Sequence, residues 1–222
     1  MSAKWRVLLG VLVLVMSTAL GAMGAQRSVL VFLTPKWAMG AEYVQLAEAL
    51  EEAGIAVIPV AEESGPYEFL EESMQGQGGR TPPGIYKLDV AMTYEDVDLT
   101  SHSALIVGPA HAHTTWLGPS NLMAQELITD ALELGMPVGG VSFGAAVLVS
   151  WGYLDGRSAA MPPYYQGVVT QGTNKAYFFA EFPEVTFEDE CVWIDEEDGF
   201  TPIATATYVC LGRFAREFAA IF

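Results

Sequence analysis

The segments 28–35, 41–54 and 55–60 restrict the fold of this chain more than any other feature. "SVLVFLTP" is a short β-branched and apolar run with no polar alternation, the composition of a strand buried on both faces. "AEYVQLAEALEEAG" then places Val44, Leu46, Ala47, Leu50 and Ala53 near helical spacing, and Gly54 supplies the stop. "IAVIPV" follows as a second strand. A strand, helix and strand connected this tightly form a parallel pair with a right-handed crossover. The same alternation returns downstream: strands at 103–110 and 137–142, helices at 120–135 and 143–154. In the first of these helices Ser120 is a capping residue and Gly135 the stop. "CVWID" and "TPIATAT" flank the Asp198-Gly199 turn signal of a late hairpin, and a closing helix runs from about Val209 to Phe222. The pattern predicts an α/β fold, a doubly wound, mostly parallel sheet with a C-terminal β-hairpin and helix. Only residues 62–88 break it. There Gly, Pro, Gln and Glu dominate, and two readings stand: a lid or rim over a site, or a simple insertion.

The first 24 residues stand apart from this pattern. Lys4 and Arg6 precede an apolar run from Val7 to about Leu20, and Ala22 and Gly24 are placed like the small residues before a cleavage site. The expectation is a signal peptide over 1–24, a single domain over 25–222, and a secreted or periplasmic location. A membrane enters only if that segment stays uncleaved. With 27 acidic against 10 basic residues the formal charge is −17, so nucleic acid is repelled and excluded as a partner. Cys191 and Cys210 are the only two cysteines. They either close one disulfide loop, as an oxidising compartment permits, or remain buried thiols. Two cysteines without a paired histidine spacing do not make a zinc site, and no motif in the chain calls for a cofactor.

Residues 140–144 read Gly-Val-Ser-Phe-Gly, which fits the strained strand-to-helix turn that exposes a nucleophilic serine. An α/β-hydrolase assignment requires a histidine after that serine. Here His102, His111 and His113 all precede Ser142, so the assignment fails. In a doubly wound sheet ligands sit beyond the carboxyl ends of the strands. Three segments reach that place: the loop leading to Glu42, the "GPAHAH" loop at 108–113, and the turn at Ser142.

At these segments the chain resembles the DJ-1/PfpI family, within the class I glutamine-amidotransferase-like superfamily. "YEDVDLTSHSALIVGPA" is similar to the family's acidic stretch, Tyr-Asp, apolar strand and Pro-Gly-Gly. "PVGGVSFGAAVLVSWGYLDGR" is similar to its Ile-Cys-His-Gly-Pro elbow, apolar helix and Gly-Leu-Leu-x-Gly-Arg ending, and "VWIDEEDGFTPIAT" to its terminal hairpin. The resemblance implies a flavodoxin-like fold over almost all of the mature chain. It also implies that Ser142 stands where the family has its nucleophilic cysteine, and Phe143 at the next position. Glu42 matches the glutamate that hydrogen-bonds the cysteine, and Met161 falls roughly at the family's histidine. Gly108-Pro109-Ala110 replaces Pro-Gly-Gly, where backbone amides help to form an oxyanion hole. Pro109 has no N–H to give, whereas Ala110 has, and Phe143 and Gly144 complete the expected pocket wall.

A thiolate is both a nucleophile and an oxidisable group; a serine is neither without a base. His111 and His113 lie on a loop that should face Ser142 and either supply that base or contact solvent and backbone. The leading expectation is therefore an exported domain of this family with a degenerate catalytic site, binding a small-molecule ligand or a protein partner. The competing expectation is a serine-dependent hydrolase of peptidase or amidase type, using Ser142 with a loop histidine. A third is a homodimer interface, for which Trp37, Trp116, Tyr164 and Tyr165 are available.

Overall fold

A computed structural model describes residues 27–33, 40–68, 87–109, 121–160, 182–197 and 199–222. The predicted parallel sheet is present, and β1 (Ser28–Phe32) lies inside it. On one side of β1 are β2 (Ala56–Ala61) and the two-residue β5 (Met92–Thr93). On the other are β6 (Ala104–Val107), β7 (Val138–Val141), β11 (Ile203–Ala206) and β10 (Val192–Asp195). All neighbours are parallel except β10 and β11, the late hairpin, which pairs Trp193 with Thr205.

The apolar composition of β1 is explained by what covers it. Val29 and Val31 face a layer containing Leu46 and Leu50 of α1 (Gly40–Glu52) and Phe214 and Phe218 of α4 (Leu211–Phe218). Leu30 and Phe32 face the opposite layer, with Ile128 of α2 (Asn121–Glu133) and Leu148 of α3 (Phe143–Ser150). Both faces of the strand are thus dry, as expected for a doubly wound sheet. The chain winds outward from β1 through β2 in one direction and from β6 through β7 in the other. The switch point therefore lies between β1 and β6, and the loops leaving their carboxyl ends open a crevice there.

Three expectations are corrected in detail. The irregular stretch 62–88 contains strand: β3 (Gly65–Glu68) and β4 (Lys87–Val90) form an antiparallel pair. Residues 69–86 lie outside the described residues, and the lid and insertion readings with them. The helix expected over 143–154 ends at Ser150, because the chain turns through Gly152 at φ +81 and Gly156 at φ +77. The closing helix is likewise shorter, with a 3-10 turn at Tyr208–Cys210 ahead of α4.

Two further ties hold the carboxyl-terminal part together, an ion pair that no local pattern marks and the disulfide that was one of the two open readings of the cysteines. Arg157, at the end of "GYLDGR", donates from Nη2 to Asp195 Oδ1 at 2.7 Å, and Ser158 N–H donates to Asp195 Oδ2 at 3.0 Å. That half-buried pair fastens the turn after α3 to the terminal hairpin. It also precedes β8 (Ser158–Ala160), which pairs in parallel with β9 (Thr186–Glu188). Cys191 and Cys210 are joined in a disulfide, with Cα atoms 6.0 Å apart. The hairpin makes that approach possible by bringing Thr207 N–H to Cys191 O at 2.9 Å. Among the described residues no helix is long and apolar enough to cross a membrane.

Candidate functional site

Ser142 occupies the turn between β7 and α3 at φ 54 and ψ −126, and is the one non-glycine residue at positive φ among the described residues. Such a conformation costs about 1–3 kcal/mol and persists only where the surroundings impose it. Here two hydrogen bonds and two close backbone approaches do so. Ser142 N–H donates to Ala206 O at 2.8 Å, and Ser142 O accepts from Ala145 N–H at 3.2 Å. On the near side of the turn, a Cβ on Gly140 would come within 2.8 Å of Ala145 Cα. On the far side, a Cβ on Gly144 would come within 2.2 Å of Val107 O and 2.8 Å of Gly108 O. The two glycines of Gly-x-Ser-x-Gly are therefore required by close backbone approach on both sides of the serine.

Glu42 arrives from the first turn of α1, which follows β1, and its carboxyl hydrogen-bonds the Ser142 side chain. Both residues are buried, Ser142 at 3% and Glu42 at 8% exposure. Burial pushes the Glu42 carboxyl up to about 7, and the Ser142 hydrogen bond opposes that rise. One carboxyl oxygen, Oε2, is buried with no hydrogen-bond partner. Tyr208, on the 3-10 turn after β11, stands near enough that the Glu42 charge adds to burial in raising its phenol. Sequence reasoning missed Tyr208, because it comes near Glu42 only through the parallel pairing of β11 with β7. Thr205 and Thr207, the last two threonines of "TPIATAT", were the available signal.

The other expected residues separate into two groups. Phe143 and Gly144 form the first turn of α3 directly after Ser142, and Gly108 closes against Phe32 and Gly144 at the end of β6. Ala110, His111, His113 and Met161 lie outside the described residues, as do Trp37, Trp116, Tyr164 and Tyr165. His102 is remote from the turn: its Nδ1 is 2.9 Å from Ser28 Oγ, at the opposite, amino end of the strands. Among the described residues no three metal-ligating side chains stand together.

A strained elbow after β7, with a buried glutamate from the helix after β1 hydrogen-bonded to it, is the arrangement expected from the resemblance. The DJ-1/PfpI family model matches residues 27–195. The chain belongs to the DJ-1/PfpI family. Solved structures agree on the fold. A ThiJ/PfpI domain protein from Brachyspira murdochii superposes with a TM-score of 0.65 at 16% identity, covering 89% of this chain and 97% of that one. The Rapid Encystment Protein 24 KDa of Francisella tularensis gives 0.64 at 14%, covering 88% and 99%. The putative protease I of Bacteroides thetaiotaomicron gives 0.59 at 18%, covering 86% and 98%. No curated protein matches the chain by sequence. Within this DJ-1/PfpI domain the elbow thus carries a hydroxyl, and the group beside it is a carboxyl that is half ionised near neutral pH.

That carboxyl sets a pH dependence of stability. Its folded-state value of about 7 lies above the ordinary 4.5, so the folded chain holds the proton more tightly than the unfolded one. The stabilisation is complete below about pH 4.5 and is lost as pH rises to about 7, a loss of at most ~3 kcal/mol. Glu42→Gln removes the ionisation. Melting temperatures measured across this range should converge at the acid end, with the variant above the unmodified chain at pH 8. A constant difference across the range would place the Glu42 carboxyl in a wetter setting.

Proposed function

We propose that this domain is exported and binds a small molecule at Ser142 and Glu42 without forming a covalent bond to it. The observation that carries the proposal is the Glu42 carboxyl: buried, shared with the Ser142 hydroxyl through one oxygen and unpartnered at the other. A site built for nucleophilic attack by serine needs a base that takes the hydroxyl proton and is itself held in place. A carboxyl near 7 paired directly to the serine has no such support, and among the described residues the one histidine is bound to Ser28 instead. The same pair is well suited to holding a polar group, since buried polar atoms gain most from a partner that water cannot supply. A small molecule fits better than a protein partner because both groups are buried. Export is supported by the basic start and short apolar run of residues 1–24, and by the disulfide of Cys191 with Cys210.

The second reading, a serine hydrolase, is favoured by one observation: Ser142 is held at φ 54, the strained posture in which a nucleophile is presented. Hydrolysis of aryl esters and peptide amides by the unmodified chain and by Ser142→Ala separates the two. The binding reading expects the same background rate from both. A drop on the order of 10³ in the variant is the signature of a lost nucleophile and would establish the hydrolase.

A further inference from the structure

β1 borders the switch point of the sheet, and it begins almost where the segment expected to be removed ends. Arg27, the residue before it, is already tied to the domain. Arg27 O accepts from Ala56 N–H at 2.9 Å, and Nη1 of its guanidinium donates to Ala219 O at 3.0 Å and to Phe222 O at 2.9 Å. The same guanidinium lies 5.6 Å from the centre of the Phe222 ring. Ser28 follows as the first residue of β1, with Ser103 N–H bonded to its carbonyl at 2.9 Å and its Oγ 2.9 Å from His102 Nδ1. The entry to β1 is therefore enclosed by β2 on one edge, by the approach to β6 on the other, and by the residues that follow α4.

We propose that residues 1–24 are removed before this domain folds, and that a chain which folds first keeps them. The inference rests on the export reading above. Three residues, Ala25, Gln26 and Arg27, separate the expected scissile bond after Gly24 from β1. Fully extended they reach about 10 Å, the thickness of a single helix. A peptidase takes its substrate extended over several residues on both sides of the bond it cuts, so Arg27 and Ser28 would have to enter its cleft. In the folded domain their hydrogen bonds are already made, and the neighbouring strands and the Phe222 ring stand where the enzyme would have to fit. Freeing them means opening β1, whose Val29, Leu30, Val31 and Phe32 are fully buried and which is bonded along both edges. Opening a strand inside the sheet costs close to the free energy of unfolding the whole domain. The cleavage itself is hydrolysis: water adds across the Gly24–Ala25 amide and leaves the Gly24 carboxylate and the Ala25 ammonium. The order of events then decides where the Ser142 and Glu42 site is delivered. A chain processed first folds free, and a chain folded first stays joined to its apolar run from Val7 to about Leu20.

The full-length chain, folded in mild detergent, is exposed to a purified signal peptidase. Beside it run a variant with a flexible Gly-Ser insert between Gln26 and Arg27, long enough to span an enzyme cleft, and a synthetic peptide of residues 1–30. Thermal unfolding of both chains under the assay conditions establishes that each is folded, and intact mass reports loss of residues 1–24. The peptide and the insert variant should be cut after Gly24. The folded chain with its own spacing should be cut at least about a hundredfold more slowly than the insert variant, at a rate limited by how seldom β1 opens. Equal rates for the two folded chains would overturn the ordering and leave the export reading standing. An insert variant that stays whole while the peptide is cut would also overturn it, because protection would not then come from the short spacing. An uncut peptide would overturn the export reading itself, and the ordering with it.

Discussion

Ser142→Cys takes up one equivalent of iodoacetamide per chain, where the unmodified protein takes up none. The contrast is large because the background is empty: the only two cysteines are joined to each other, and no free thiol exists. A thiol at this turn sits at the start of α3, where the helix N-terminus favours the thiolate. Glu42 then controls the rate through its proton. Below about pH 7 the carboxyl is neutral and can donate to the thiolate; above it the carboxylate repels a second negative charge. Alkylation of Ser142→Cys should therefore depart from the smooth rise with pH of an ordinary thiol, and the double variant with Glu42→Ala should regain it. Intact mass and the alkylated peptide spanning Gly139 to Trp151 report both the extent and the location. An unreactive cysteine at this position in a folded chain would mean that the turn is closed to ligands of this size.

Gly144→Ala costs more than any conservative change on the surface of the domain. Its Cβ would meet Val107 O and Gly108 O, backbone atoms held by the β6 ladder and by the Gly108 N–H bond to Phe32 O, which cannot swing aside. The expected loss is on the order of 3 kcal/mol or more, which for a domain of this size lowers the melting temperature by roughly 6–12 °C. Gly212→Ala is the control. In α4 the added methyl finds only Arg216 Nη1, at 3.7 Å, so the change should be neutral or stabilise by about 0.5–1 kcal/mol. Equal melting temperatures for the two variants would contradict the elbow geometry described here.

The parts of the fold visible in the sequence were those written locally. β1 is legible because both faces bury it, so "VLVF" carries no polar alternation. α1 is legible because Leu46 and Leu50 fall on one face and Gly54 ends the helix at φ +77. The elbow is legible because its two glycines answer close contacts within a few residues of the serine, and Glu42 because the family motif marks its place. What escaped depends on non-local pairing. Gly65–Glu68 reads as a breaker sequence and becomes strand only when Lys87–Val90 pairs with it. Arg157 carries no mark of its partner Asp195 on the hairpin. The spacing of Cys191 and Cys210 left bridged and free thiols equally open, since it was the hairpin and the Thr207 bond to Cys191 that brought them together. Tyr208 comes near Glu42 by the parallel register of β11 with β7, which no local pattern encodes.

The central claim is that Ser142 holds a ligand and does not attack one. A fluorophosphonate tests it directly, because it forms a stable phosphonyl ester with an activated serine and leaves an ordinary hydroxyl alone. After incubation of the protein at pH 8, the intact mass is expected to be unchanged, and the Gly139 to Trp151 peptide to carry no adduct. A stoichiometric adduct on Ser142 that disappears in Ser142→Ala would contradict the claim and make this serine a nucleophile.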